Sequence, residues 1–240
     1  MNFSAKSVGG CGHRRQTVWR AGQIAGVTVL VAALAGCQTQ LTNIGLSMAE
    51  PAYRPANVFA YPPHLSSSLQ RVAVLPLAAT ATVGDLPEGC EALTPVLWEQ
   101  LVKSKKFEVV NVTPDQLRSH TGRPAWTGTE SLPADFLAFL HREYACEAVL
   151  LSELTAYHAY APLAVGWRLK LVDVRTGQIL WAADELFDAA RPGVARAACH
   201  FEKHQPSTTA GSESGWLVLN SPRQFGGYSA AALLDTLPER

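Results

Sequence analysis

The stretch Val165-Gly-Trp-Arg-Leu-Lys-Leu-Val-Asp-Val174, Arg175-Thr-Gly-Gln178, Ile179-Leu-Trp-Ala-Ala-Asp-Glu-Leu-Phe187 decides the fold. Its first part alternates, setting Trp167, Leu169 and Leu171 on one face and Arg168 and Lys170 on the other, the period of a half-buried strand. Arg175 to Gln178 supply a tight turn with Gly177. The alternation then resumes, with Ile179, Trp181 and Ala183 facing one way. Two strands joined so closely pair antiparallel, and their apolar face needs helices to cover it.

Working outward, Ala148–Thr155 reads as a third strand through Val149-Leu-Leu151. Pro133 to Tyr144 reads as a helix with Phe136, Leu137, Leu140 and Tyr144 on its apolar face, behind a Gly/Pro/Thr loop over 121–132. Further upstream, Arg71-Val-Ala-Val-Leu-Pro-Leu77 is a buried strand ended by Pro76. A helix over about 88–104 follows, with Leu93, Leu97 and Leu101 aligned, and Pro95 must kink it or start it with Thr94 as cap. Phe107–Val112 is a strand, and Thr113-Pro-Asp-Gln116 a capping box that opens a short helix. Downstream lie a weak helix (about 193–204), a low-complexity loop (205–215) and a last helix opening at Ser221-Pro-Arg-Gln224. The expected fold is α+β, a mixed sheet with helices packed on it. With 240 residues, 48% of them hydrophobic, there is material for one such domain and hardly for two.

The N-terminus reads as an export signal. Residues 1–36 carry Lys6, Arg14, Arg15 and Arg20 and no acid, and Ile24 to Ala35, with Thr28 within it, forms an apolar stretch of twelve. Twelve residues are too short for a bilayer core, which needs about 20, but they suit a cleaved signal peptide. The stretch closes on Leu34-Ala35-Gly36-Cys37, the lipobox of bacterial lipoproteins, so Cys37 is expected to carry the lipid. Two or three acyl chains anchor stably where one is marginal. Gln38 stands where inner-membrane lipoproteins of enteric bacteria carry Asp, which by analogy favours the outer membrane, periplasmic side. The expected division is 1–36 signal peptide, 37–66 lipid-anchored tether, and 67–240 globular domain. Without its four basic residues in 1–36, the chain has 16 basic against 20 acidic residues. Nothing in that balance draws nucleic acid.

Three stretches resemble a group of bacterial lipoprotein domains. They are Arg71–Leu77, the passage from Leu97 through Lys103-Ser-Lys-Lys-Phe-Glu-Val-Val110, and the hairpin Val172-Asp-Val-Arg-Thr-Gly-Gln-Ile-Leu-Trp181. The group includes the curli-secretion lipoprotein, the lipoprotein activators of penicillin-binding proteins, and the N-terminal domain of the Tol-system propeller protein. The resemblance covers roughly residues 70–187 and implies a lipoprotein that docks on envelope protein partners. The pore of the curli protein is not implied, because Thr155–Val165 cannot supply two barrel strands of about 9–11 residues each.

No Gly-x-Ser-x-Gly, phosphate loop, dinucleotide fingerprint or Cys-x-x-Cys occurs, so the reading is a binding or assembly factor, not an enzyme, with no cofactor and no metal. Two alternatives stand beside it: a metal-dependent hydrolase using His200, Glu202 and His204, and a ring-forming secretion subunit. The histidines share a helical face, but Phe201 occupies the position where the zinc-protease pattern needs Glu. Asp173, Asp184, Glu185 and Asp188 fit the solvent face of a sheet better than a pair of catalytic carboxylates. Cys90 and Cys146 are the expected disulfide, with three buried thiols, Cys199 included, as the equal alternative. Tyr157, His158 and Tyr160 mark a tip between strands, read either as a partner-docking site or as aromatics folded back on the core.

Overall fold

The computed structural model describes residues 53–81, 84–204 and 217–240. Cys37, Leu34, Ala35 and Gly36 lie outside them, as does the loop read over 205–215. In chain order the elements are β1 (Val58–Ala60), β2 (Arg71–Val74), β3 (Ala78–Ala79), α1 (Leu86–Ser104), β4 (Glu108–Asn111), α2 (Pro114–Thr121) and α3 (Ala134–Tyr144). Then come β5 (Ala148–His158), β6 (Ala164–Asp173), β7 (Ile179–Asp188), α4 (Pro192–His204) and α5 (Pro222–Leu234). The strands form one mixed sheet in the order β1-β7-β6-β5-β2-β4, with β3 also on β5. This is the α+β architecture the sequence implies.

Direction within the sheet follows the connections. β2 is parallel to both β4 and β5, and the helices between these strands make the crossovers that parallel pairing demands. The β5–β6–β7 meander is antiparallel, turned at its second hairpin by Gly177 in the left-handed region (φ 69°). Asp173 Oδ1 accepts from the backbone N–H of Arg175 and Thr176 there, each at 2.8 Å, which fixes the turn.

Strand alternation sorts the interior into two cores. Val72, Val74, Leu150, Leu154, Trp167, Leu169, Leu171 and Trp181 face α1 and α5, meeting Leu93, Leu97, Leu101, Phe225 and Leu233. Ala73, Leu75, Val149 and Leu151 face the other way, against Leu117, Phe136, Leu137 and Leu140 of α2 and α3. Both tryptophans are fully buried, and their indole N–H groups need acceptors. Trp167 Nε1 donates to Ser229 Oγ at 2.8 Å, and Trp181 Nε1 to Thr236 Oγ1 at 3.1 Å. The C-terminal segment thus closes the first core as well as covering it.

Local signals account for the ends of the helices. Thr113 and Gln116 form the expected capping box, with Gln116 N donating to Thr113 Oγ1 and Thr113 N to Gln116 Oε1. Ser221 accepts from Gln224 N to open α5. Helix α1 differs from expectation. It starts at Leu86, with Asp85 at the cap, and Pro95 sits inside it. Pro95 has no N–H to donate, and at the residue before it Thr94 Oγ1 donates to Cys90 O at 2.6 Å, a side-chain bond to the helix backbone.

The tether boundary also moves. Residues 53–66, read as part of the 37–66 tether, belong to the fold. Val58–Ala60 pairs antiparallel with β7, Tyr53 donates to Glu185 Oε1 at 2.6 Å, and Leu65 is buried. A three-residue strand is too short to show a period, so its pairing was invisible in the sequence.

One polar atom in the first core lacks a partner among the described residues. Tyr228 Oη is buried against Phe187, Phe201 and Phe225 with nothing to bond. A buried hydroxyl without a partner costs about 1–3 kcal/mol, so Tyr228→Phe is expected to raise stability by about 1 kcal/mol. A denaturant midpoint that fell on this substitution would show that the hydroxyl has a partner.

Candidate functional site

At the two candidate sites of chemistry the side chains are engaged in local contacts. His200 and His204 stack with ring centroids 4.2 Å apart, and His204 Nδ1 lies 2.9 Å from His200 O. Glu202 points away to accept from Val218 N at 3.5 Å. Among the described residues, no three His, Cys, Asp or Glu side chains form a group that holds a metal ion. The four acidic residues are dispersed, and each carries a structural bond. Asp173 fixes the hairpin turn, Asp188 Oδ1 accepts from Ala190 N, and Asp184 and Glu185 face opposite sides of β7. The plain solvent face read for them is therefore too simple. Tyr53 Oη and the backbone N–H of Ala56 and Asn57 all donate to Glu185. Burial alone would raise that carboxyl, but these bonds hold it below the usual range. Burial, with the bond to Glu185, pushes the Tyr53 phenol up to about 12.

The polar centre that matters is one the sequence reading passed over. Glu153 is buried on β5 directly across from Arg168, which is across from Asp184 on β7. Arg168 Nη1 reaches both Glu153 oxygens at 3.2 Å, and Nε donates to Asp184 Oδ2 at 2.7 Å. Thr80 Oγ1 and Gly128 N complete the set around Glu153, at 2.7 and 2.9 Å. A buried carboxylate survives only when paired and bonded in this way. Its task here is to pin the 121–132 loop and the segment after β3 to the sheet. An acid inside an apolar strand run was the available signal.

The cysteines correct another expectation. Cys90, Cys146 and Cys199 are not joined in disulfides. Cys90 packs on the first core and Cys146 is buried in the second, so the sheet stands between them and no Cys90–Cys146 disulfide forms. Burial pushes the Cys90 thiol up to about 11 and raises Cys146 and Cys199 as well. All three are poor nucleophiles in the folded state.

The tip divides. Tyr157 faces the helix side, where a Cβ on Gly89 would stand 2.6 Å from its Cγ, so Gly89 makes room for the ring. Two residues on, the chain leaves the sheet. His158 Nδ1 lies 3.1 Å from Pro162 O, which ties the loop, and Tyr160 projects with 76% of its surface exposed. Two further aromatic side chains stand out at the free edge of the sheet: Phe59 (52% exposed) and, just beyond β1, Tyr61 (65%). Phe59 lies opposite Ala182 on the face away from Trp181. A cleft of about 280 Å³ also opens at the carboxyl end of β2, lined by Val74, Leu77, Pro95, Trp98, Asn111 and Ser152.

No family model matches the chain, and no curated protein matches it. Among solved structures it is similar to the PelC dodecamer from Paraburkholderia phytofirmans, at 16% identity and TM-score 0.44 over 76% of this chain and 96% of that one. It is also similar to lipoprotein GNA1162 from Neisseria meningitidis (16% identity, TM-score 0.36, 51% and 85% covered). A third is the LpoB C-terminal domain from Salmonella enterica (20%, 0.32, 49% and 82%). Of these three, GNA1162 is itself a lipoprotein.

Two measurements check this description. Glu153→Ala strands Arg168 and the donors of Thr80 and Gly128, and is expected to cost about 3–5 kcal/mol and to speed tryptic cleavage at Arg123. An unchanged unfolding midpoint would show that the carboxylate does not hold the loop. Thiol titration without reductant is expected to find Cys90, Cys146 and Cys199 slow in the native protein and all reactive after unfolding. Two thiols missing after unfolding would restore a disulfide.

Proposed function

We propose that this chain is a lipid-anchored, periplasm-facing binding or assembly factor for a cell-envelope complex, held to the outer membrane by acyl chains on Cys37. The anchor rests on Leu34-Ala35-Gly36-Cys37 and the basic and apolar segments before it. The domain works by contact, not by chemistry. One observation carries this: the interior charges are committed to structural bonds, while large aromatic side chains stand free in solvent. Glu153, Arg168, Asp184 and Glu185 are engaged in holding strands and loops, and Phe59 and Tyr61 sit unpacked at the open sheet edge. Exposed aromatics of this kind are enriched in protein interfaces. The edge strand β1 is only three residues long, which limits indiscriminate strand pairing and leaves recognition to its side chains. A protein of the envelope is the partner that fits.

Cys37→Ser is expected to move the chain from the membrane pellet to the soluble periplasmic fraction. Phe59→Asp with Tyr61→Asp should leave the chain folded and membrane-bound but strip its partner from detergent-extracted envelopes in a pull-down. A Cys37→Ser chain that stayed in the pellet would refute the anchor. An unchanged set of captured proteins would refute the edge as the docking surface.

A further inference from the structure

Strand β5 has one break in the apolar face it turns towards α1. Leu150 and Leu154 fill that face, and between them stands Ser152, fully buried but with a side chain too short to close the gap. Beside it β2 ends at Val74, and Pro76, which has no N–H for a ladder, takes the chain out of the strand before β3 resumes pairing on β5. These two departures leave the cleft of about 280 Å³, walled on the α1 side by Pro95 and Trp98. Its place follows from the connections. β2 and β4 are parallel neighbours, but from β2 the chain leads to α1 on the first core, and from β4 to α2 and α3 on the second. Connections that part in this way open a crevice at the carboxyl ends of the strands, and ligands of open parallel sheets bind in that crevice. The cleft occupies it, between Val74 to Leu77 and Asn111.

Unused polar groups converge there. Trp126, Trp167 and Trp181 each donate the indole N–H to a hydroxyl, whereas Trp98 Nε1, on the cleft wall, has no partner among the described residues. Ser152 Oγ has only Leu75 O at 3.4 Å, well beyond the ~2.8 Å of a good hydroxyl bond. The Asn111 amide, at the rim, is likewise bonded to no described residue. The side chains that line the cleft are uncharged and mostly apolar, so an ion entering it would lose its hydration and meet no counter-charge. An apolar hollow with a few convergent polar groups is the ordinary form of a small-molecule site. A cavity of about 150 Å³ holds a benzene ring, so this one has room for about two rings, and the flat face of Trp98 suits an aromatic one.

We propose that the cleft between the carboxyl ends of β2 and β4 binds a small uncharged aromatic molecule that carries a hydrogen-bond acceptor, its ring against Trp98 and its polar group met by Trp98 Nε1 and Ser152 Oγ. The site lies on the β4 side of the sheet, away from the β1 edge. It therefore stands apart from the Phe59–Tyr61 surface and does not depend on acylation of Cys37.

Benzophenone serves as the probe, because it is uncharged, has two rings and one carbonyl acceptor, and on irradiation bonds to the C–H groups beside it. The full chain is irradiated with it, digested with trypsin, and the peptides are weighed. Val72 to Lys103 is a single tryptic peptide that contains both the β2 end and the α1 wall. Labelling of that peptide is expected, saturating at one adduct per chain. It is expected to fall about tenfold or more in Ser152→Leu, which fills the floor, and in Thr94→Phe, which blocks the mouth. Thr94 is exposed on α1, so its replacement leaves the core intact and decides the matter if Ser152→Leu does not fold. Undiminished labelling of a folded Thr94→Phe chain would overturn the inference. So would adducts confined to the peptide carrying Phe59 and Tyr61, or no adduct on 72–103 at the solubility limit of benzophenone.

Discussion

Everything in the fold depends on burying one face of the β6–β7 hairpin. Trp167, Leu169, Leu171 and Trp181 present a broad apolar surface that no strand alone can cover. Each fully buried large side chain is worth about 1.5–3 kcal/mol when it leaves water, so covering helices are forced. Two tryptophan N–H groups inside that surface then restrict which helix serves. Ser229 and Thr236 accept from them at 2.8 and 3.1 Å, which ties the C-terminal segment to one position on the sheet. Helix α1 packs beside α5 across the same face, and the second core on the opposite face follows from the parity of β2 and β5.

The opposite face is treated differently along its width. Around Ala73 of β2 and Val149 and Leu151 of β5 it is covered by α2 and α3, and there the strand residues are apolar. Over β6 and β7 it is polar, and the row Glu153–Arg168–Asp184 runs across three strands. The buried carboxylate at one end of the row fastens a loop through Gly128 N and Thr80 Oγ1. A charged cluster inside a fold therefore says little about catalysis until its partners are counted. At the β1 edge, where no helix among the described residues lies above the strand, the aromatic side chains of Phe59 and Tyr61 are left in solvent.

Much of this was legible in the sequence because period and local signals agree. Alternation in Val165–Val174, the capping box at Thr113-Gln116 and Gly177 in its turn each have a single local solution, and the structure adopts it. The missed parts depend on distant partners. Strand β1 exists because β7 offers it an edge, and three residues cannot announce that on their own. Glu153 is intelligible only beside Arg168, Thr80 and Gly128, which are spread over the chain. The expected Cys90–Cys146 bridge failed because both cysteines were read as entering one core, while alternation makes two. Tyr157 was grouped with His158 and Tyr160 by position, yet strand parity and the missing side chain of Gly89 turn it inward.

The account as a whole is of a domain that acts where it is held. Under the proposed function, Cys37 supplies the anchor and the exposed aromatic side chains do the binding. The most direct measurement is the mass of the N-terminal peptide from the chain isolated from its native membranes. The account predicts a peptide beginning at Cys37 and carrying a diacylglycerol thioether. A chain beginning elsewhere, or an unmodified Cys37, would contradict it.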